Sequence, residues 1–159
     1  VQLNDKVLLV IGMGNIGGRV AKKMKGFLKV DTFDVLQNTT AELKALIESA
    51  DCITLHIPKN EENNNFIDGE KLSWMKDGSV LINTARGAAV NEDALFKEIE
   101  SFRLLAAFDV YWQEPYQGKL KKYHPDHFYM TPHVASTCNG FLEGCRKDLD
   151  ILIEDLFRA

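Results

Sequence analysis

The chain has no apolar stretch near the ~20 residues that a bilayer-spanning helix needs. Its first residues also lack the charged start, apolar centre and small-residue cleavage site of a secretory signal. A membrane partner is therefore not expected. Cysteine is scarce: Cys52, Cys138 and Cys145 are an odd number at no framework spacing, as reduced thiols in a cytoplasmic protein would be. No run of Lys or Arg stands out and the net charge is -4, so nothing draws the chain generally toward nucleic acid. Metal-ligand spacing is missing as well. His124 and His127 are three apart and Cys138 and Cys145 seven apart, which fits neither C-x₂-C nor H-E-x-x-H, and no metal is expected. No internal repeat, low-complexity segment or Pro/Gly/Ser-rich linker divides the 159 residues, so one domain is the expectation.

What is present is alternation. Apolar runs at Lys6–Ile11, Leu28–Phe33, Cys52–Ile57, Ser79–Asn83, Leu104–Val110 and Phe128–Thr131 read as buried strands. Between them lie helical patterns at Ile16–Lys25, after Thr40 (with Leu43, Leu46 and Ile47 on one face), at Gly69–Met75, and at Glu92–Ser101 with Asn91 as N-cap. Gly140–Phe157 reads as a last amphipathic helix. Lys59–Asn65 and Gln117–His127 are polar and read as irregular loops. Strands alternating with helices predict an α/β fold, a doubly wound, mostly parallel sheet.

The first strand runs into Gly12-Met13-Gly14-Asn15-Ile16-Gly17, a G-x-G-x-x-G turn that opens a helix. In that context Gly12 permits the tight turn, Gly14 lets backbone approach a pyrophosphate, and Gly17 allows close helix–strand packing. The N–H groups of Asn15 and Ile16 belong to the positive end of the helix. Asp34 ends the next strand about 20 residues on, where a carboxylate accepts from ribose hydroxyls and repels a 2′-phosphate. Asp31 is a weaker rival because it falls within the strand. A Rossmann domain that takes NAD is the reading.

From Met75 the pattern is denser. Met75-Lys76-Asp77-Gly78-Ser79-Val80-Leu81-Ile82-Asn83-Thr84-Ala85-Arg86-Gly87, Asp109-Val110-Tyr111-Trp112-Gln113-Glu114-Pro115 and Thr131-Pro132-His133-Val134-Ala135 follow in that order, with Leu55-His56-Ile57-Pro58 upstream. Together they resemble the D-isomer-specific 2-hydroxyacid dehydrogenases, over nearly the whole chain from Leu3 to about Leu156. The resemblance implies Arg86 on substrate, His133 as acid/base with Glu114 as its partner, and Asp109 beside the nicotinamide. It also implies His56, Pro58, Thr84 and Ala85 along the cofactor, with Arg86 and His133 touching it as well. Lys59-Asn60 departs from the family's more usual Leu-Thr, which removes a threonine contact to cofactor. The chemistry agrees: an imidazole of unperturbed pKa ~6.5 suits proton transfer near neutrality, and a guanidinium fork suits a carboxylate.

The resemblance further implies a small 2-hydroxy or 2-keto acid as substrate and a homodimer formed through this domain. Candidate dimer surfaces are Phe102–Leu105 and Trp112–Tyr116. Family members build a substrate domain from segments on either side of the cofactor domain. None is expected within residues 1–159, which open on Val1 as an excised or truncated domain would. An isolated chain is expected to bind NAD weakly and turn over little. The alternative is a stand-alone NAD-binding module with a sensing or scaffolding role, as in the corepressors that resemble this family. Formate dehydrogenases, close relatives, carry Gln where this chain has Glu114.

Overall fold

The computed structural model describes residues 5–26, 29–137 and 140. Six strands, β1 Val7–Ile11, β2 Lys29–Phe33, β3 Cys52–Leu55, β4 Val80–Asn83, β5 Leu105–Phe108 and β6 Phe128–Met130, form one sheet in the order β2-β1-β3-β4-β5-β6. Every pairing is parallel. The mostly parallel sheet that alternation predicts is thus wholly parallel among the described strands.

Parallel strands need crossovers, and α1 Asn15–Met24, α2 Thr40–Ser49, α3 Gly69–Trp74 and α4 Glu92–Glu100 supply them. From β1 the chain steps outward to β2 and then returns past β1 to β3. Right-handed crossovers therefore put α1 on one face and α2, α3 and α4 on the other. Burial follows this division. Leu9, Ile11, Ile53, Leu55, Leu81 and Phe108 belong to the larger core with Leu43, Ile47, Leu72, Leu95 and Ile99. Leu8 and Val10, pointing the opposite way along β1, pack with Ala21 of α1. Because both faces of β1 are covered, it reads as an unbroken apolar run rather than an alternating one.

The helix starts are set locally. Asn91 accepts from the Ala94 N–H and opens α4 as predicted. Thr39, one residue before the Thr40 that marks the start of the pattern, closes a capping box with Glu42 over α2. Strands β3 and β5 end two residues earlier than their apolar runs, at Leu55 and Phe108, since Ile57 and Val110 are buried in the loops that follow. Gln117–His127, expected to be irregular, contains a 3₁₀ turn at Lys119–Tyr123 that buries Leu120. The predicted helix Gly140–Phe157 lies outside the described residues, as do Cys138 and Cys145.

A parallel sheet sends all its strand ends the same way. The residues after β1, β2, β3, β4, β5 and β6, including Gly12, Asp34, His56, Arg86, Asp109 and His133, therefore lie along one edge. The strand order reverses between β1 and β3, which is where such sheets open a crevice for ligands.

Candidate active site

The glycine turn is built from close approaches. Gly12 has φ +92°, and a Cβ there would lie 2.5 Å from the His56 carbonyl oxygen. A Cβ on Gly17 would fall 1.8 Å from the Gly12 carbonyl oxygen. Gly14 differs: nothing lies within 4 Å of the Cβ it lacks. The protein crowds the first and third glycines and leaves the second open to the outside. Gly14 is also the N-cap of α1, with no side-chain cap and no acid in the first turn. Asn15 and Ile16 are exposed beside it. Among the described residues no carboxylate caps the N–H groups of this helix start itself, which fits a pyrophosphate.

Asp34 stands at the end of β2 and reaches back to this turn. One carboxylate oxygen accepts from the Met13 N–H at 2.9 Å and the other from the Leu36 N–H at 3.0 Å. These bonds, to Leu36 first and then Met13, hold its carboxyl below the usual range, so it is charged at neutral pH. A cleft of about 420 Å³ runs along Gly12, Gly14, Asp34, Leu36, His56 and Pro58. Asp31 lies in β2, paired with Leu9, away from this edge. His56 is half-buried with Nε2 3.1 Å from Thr54 Oγ1, and burial pushes its imidazole pKa down. A neutral ring therefore lies beside the cradle. Asn60 and Asn63 shape the loop beyond. Asn60 Oδ1 accepts from the Asn63 N–H, and Asn63 Nδ2 donates to the Pro58 carbonyl. The Lys59-Asn60 departure is absorbed into that turn.

Farther along the edge, Asn83 was missed by sequence reasoning. It is fully buried at the last position of β4, where Oδ1 accepts from the Ala85 N–H and Nδ2 donates to the Arg86 carbonyl. A polar residue closing an apolar strand is the signal that could have found it. It folds the Asn83–Arg86 turn, and Thr84 and Arg86 emerge exposed while Ala85 is buried. Among the described residues the Arg86 guanidinium has one partner, the Ala85 carbonyl. Toward the other described residues the rest of its fork is open.

Glu114 and His133, 19 residues apart, meet directly. The carboxylate oxygens lie 2.8 and 3.0 Å from Nδ1 of the ring. Glu114 also accepts from the Tyr111 N–H. The bond to His133 holds its carboxyl below the ordinary glutamate range, against the opposing effect of burial. An ionised carboxylate only accepts, so Nδ1 carries the hydrogen and Nε2 is the nitrogen left to exchange a proton. His133 itself sits at φ +55°, a left-handed backbone that a non-glycine residue keeps only under restraint. Asp109 supplies the restraint. It is buried, and its carboxylate accepts from the Thr131 hydroxyl, the Val134 N–H and the Ala135 N–H. Sequence reasoning sets Asp109 beside the nicotinamide; here its oxygens are turned toward the Thr131–Ala135 segment. His124 and His127 are occupied elsewhere. The first accepts from the Met130 N–H and the second packs on Phe102.

A parallel sheet with an open glycine turn and an acid at the end of β2 defines a dinucleotide-binding domain, and the imidazole–carboxylate pair on the same edge gives it chemistry. The chain belongs to the family described as D-isomer specific 2-hydroxyacid dehydrogenase, NAD binding domain, which it matches over residues 1–135. It is 34% identical to a hydroxypyruvate reductase of Thermotoga maritima, over 99% of the chain and 54% of that relative. Among solved structures it resembles a D-lactate dehydrogenase from Aquifex aeolicus complexed with NAD and lactic acid. That match has a TM-score of 0.80 and 30% identity, over 96% of the chain and 54% of that structure. It also resembles an acyclic imino acid reductase in complex with NADPH and D-Arg, with a TM-score of 0.88 and 27% identity, over 99% of the chain and 53% of that structure. The chain spans about half the length of the curated relatives that head the comparison.

Proposed function

We propose that this chain serves hydride transfer between NAD(H) and the α-carbon of a D-2-hydroxy acid or its 2-keto acid. The observation that carries the reading is the 2.8 Å contact between Glu114 and His133 Nδ1, on the same sheet edge as the glycine turn and Arg86. Gly12, Gly14, Gly17 and Asp34 hold the dinucleotide, which supplies the hydride when bound. His133 takes or returns the hydroxyl proton at Nε2, and Glu114 keeps the opposite nitrogen protonated throughout. Arg86 grips the carboxylate with the open part of its fork, orienting the α-carbon and stabilising charge on the carbonyl oxygen.

Residues 1–159 act as the NAD-binding domain in this reading, and the substrate-holding domain of the family lies outside them. The setting is cytoplasmic and the assembly a homodimer through this domain. Of the two surfaces first considered, Leu104 and Tyr116 are buried and belong to the core. Phe102, 63% exposed, is the large apolar side chain most open to a partner in these two surfaces. Sedimentation of wild type against Phe102→Ser tests that point, and a monomer at high concentration refutes it.

NADH oxidation with a panel of 2-keto acids, measured in the whole protein, tests the chemistry. His133→Gln is expected to lower turnover by on the order of 10²–10⁴ while NAD still binds at the glycine turn. Wild-type rates in that variant overturn the reading. Cofactor binding with no turnover of any 2-keto acid in the whole protein supports a sensing module instead.

A further inference from the structure

Three loops of the site converge on Tyr111. The backbone of Tyr111 lies against Gly87, next to Arg86, so closely that a Cβ on Gly87 would stand 2.0 Å from the Tyr111 carbonyl carbon. Its N–H donates to Glu114 Oε1 at 3.1 Å. Its phenol hydroxyl lies 2.8 Å from both the Phe108 and the Thr131 carbonyl oxygens, and its one proton is shared between them. The Thr131 carbonyl also accepts the N–H of His133. The ring is fixed from its other side by stacking on Tyr116, with centroids 5.1 Å apart. The neighbouring Trp112 anchors the same loop through Nε1 to the Val90 carbonyl.

We propose that Tyr111 is a positioning residue that locks the Arg86 turn, the Glu114 carboxylate and the His133 turn into one frame, an inference that rests on the acid/base reading of that pair. Each arm reaches a different member. The backbone contact with Gly87 fixes the loop beside Arg86, the N–H aims Glu114, and the phenol braces the carbonyl that holds His133 in its left-handed conformation. Geometry makes the three inseparable, because all leave a single residue. Burial and the nearby charge of Asp109 push the phenol up to about 12, so it remains a donor at any pH at which the protein would work. Asp109 grips the Thr131–Ala135 segment from a different direction, through the Thr131 hydroxyl and the Val134 and Ala135 N–H groups. Tyr111 adds a second link between this segment and Glu114, beside the direct Glu114–His133 contact, and ties both to Gly87.

The test is nitrogen NMR of the histidine rings in the ¹⁵N-labelled chain. Tyr111→Phe keeps the stacked ring and the backbone N–H and removes only the hydroxyl. Glu114→Gln provides the reference state without the ion pair. Wild type is expected to show His133 as the Nδ1–H tautomer when neutral, and Glu114→Gln to lose that signature. In Tyr111→Phe the signature is expected to move toward the Glu114→Gln spectrum while NAD affinity stays at the wild-type value. A folded Tyr111→Phe with a wild-type ring spectrum overturns the proposal. Should that variant not fold, Gly87→Ala decides in its place: it touches neither Glu114 nor His133, yet displaces the Tyr111 backbone, and an unmoved ring spectrum again overturns the proposal. The acid/base reading fails by a separate result, wild-type turnover in His133→Gln, which leaves the ring signatures of the other variants as they are.

Discussion

Asp34 accepts the Met13 N–H at 2.9 Å and so ties the end of β2 to the middle of the glycine turn. The carboxylate shapes the cradle, and under the proposed function it also faces the adenosine ribose. Asp34→Ala is expected to cost roughly 1 kcal/mol of stability through the lost backbone bonds. It should weaken NAD by at least about tenfold, or about 1.4 kcal/mol. Asp34→Asn keeps an acceptor for Met13 but loses the charge, and should raise the affinity for NADP relative to NAD. Paired titrations of the two cofactors check this, and an unchanged ratio in Asp34→Asn refutes a discriminating role.

The second and third glycines of the turn should separate folding from binding. A methyl on Gly17 meets the Gly12 carbonyl oxygen at 1.8 Å, so Gly17→Ala forces α1 away from the turn. A loss of about 2–3 kcal/mol is expected in urea denaturation, as for other overpacked positions. Gly14 has open space at that point, and its backbone φ of -66° suits any residue. Gly14→Ala should lose no more than about 1 kcal/mol, Ala being the poorer N-cap, and should lose NAD affinity, because the methyl occupies the approach to the pyrophosphate. Equal NAD affinity in Gly14→Ala and wild type would show that the cradle faces something else.

The legible parts of this molecule are those coded over short spans. The glycine turn, the acid that ends the second strand and the Asn91 cap each depend on residues a few positions apart, or on one βαβ step. Matching Glu114 to His133 needed the motif order, since 19 residues separate them and no periodicity links them. What stayed hidden depends on contacts made only once the sheet has formed. Asn83 reads as one more strand residue until its neighbours turn back on it. The carboxylate of Asp109 faces donors 22 to 26 residues ahead. Tyr111 reads as an aromatic at a loop start, and its place against Gly87 and Thr131 is a property of the assembled edge. Strand ends were overrun for a related reason: Ile57 and Val110 are as buried as strand residues, so apolar character continues after the ladder stops.

Asp109 makes stability depend on acid. Burial pushes its carboxyl up, but the Thr131 hydroxyl, the Ala135 and Val134 N–H groups and the charge of His133 outweigh burial and hold it below the ordinary value. A group with a lowered folded pKa binds its proton more readily in the unfolded chain. Its stabilisation is complete above the unfolded value of about 3.9 and is lost as pH falls through the folded value. Asp34, Asp51, Asp68 and Glu114 share the direction and add to the slope. Asp109→Asn is expected to be less stable at neutral pH by about 1–3 kcal/mol. Its stability should also fall less steeply than that of wild type below about pH 4. Chemical denaturation across that range measures both, and parallel curves would mean that Asp109 does not titrate between the two states.

Asn83 offers the sharpest test of how the Arg86 turn is set. Its amide answers two backbone groups of opposite kind, an N–H on Ala85 and a carbonyl on Arg86, in a fully buried position. Asn83→Asp is nearly the same size and keeps the acceptor for Ala85. It puts an oxygen where Nδ2 donated, facing the Arg86 carbonyl without a hydrogen between them. The substitution should therefore cost about 2–3 kcal/mol, as an unsatisfied buried polar group does. The effect should be localised: faster hydrogen exchange at Gly87 and Ala89 in the turn that follows, with the glycine cradle and its NAD affinity intact. In the whole protein the apparent substrate affinity should fall as Arg86 loses its fixed direction. Should Asn83→Asp match wild type in stability and in exchange at these amides, the turn is held by the Gly87 contact with Tyr111 alone, and Asn83 is merely a passenger in the core.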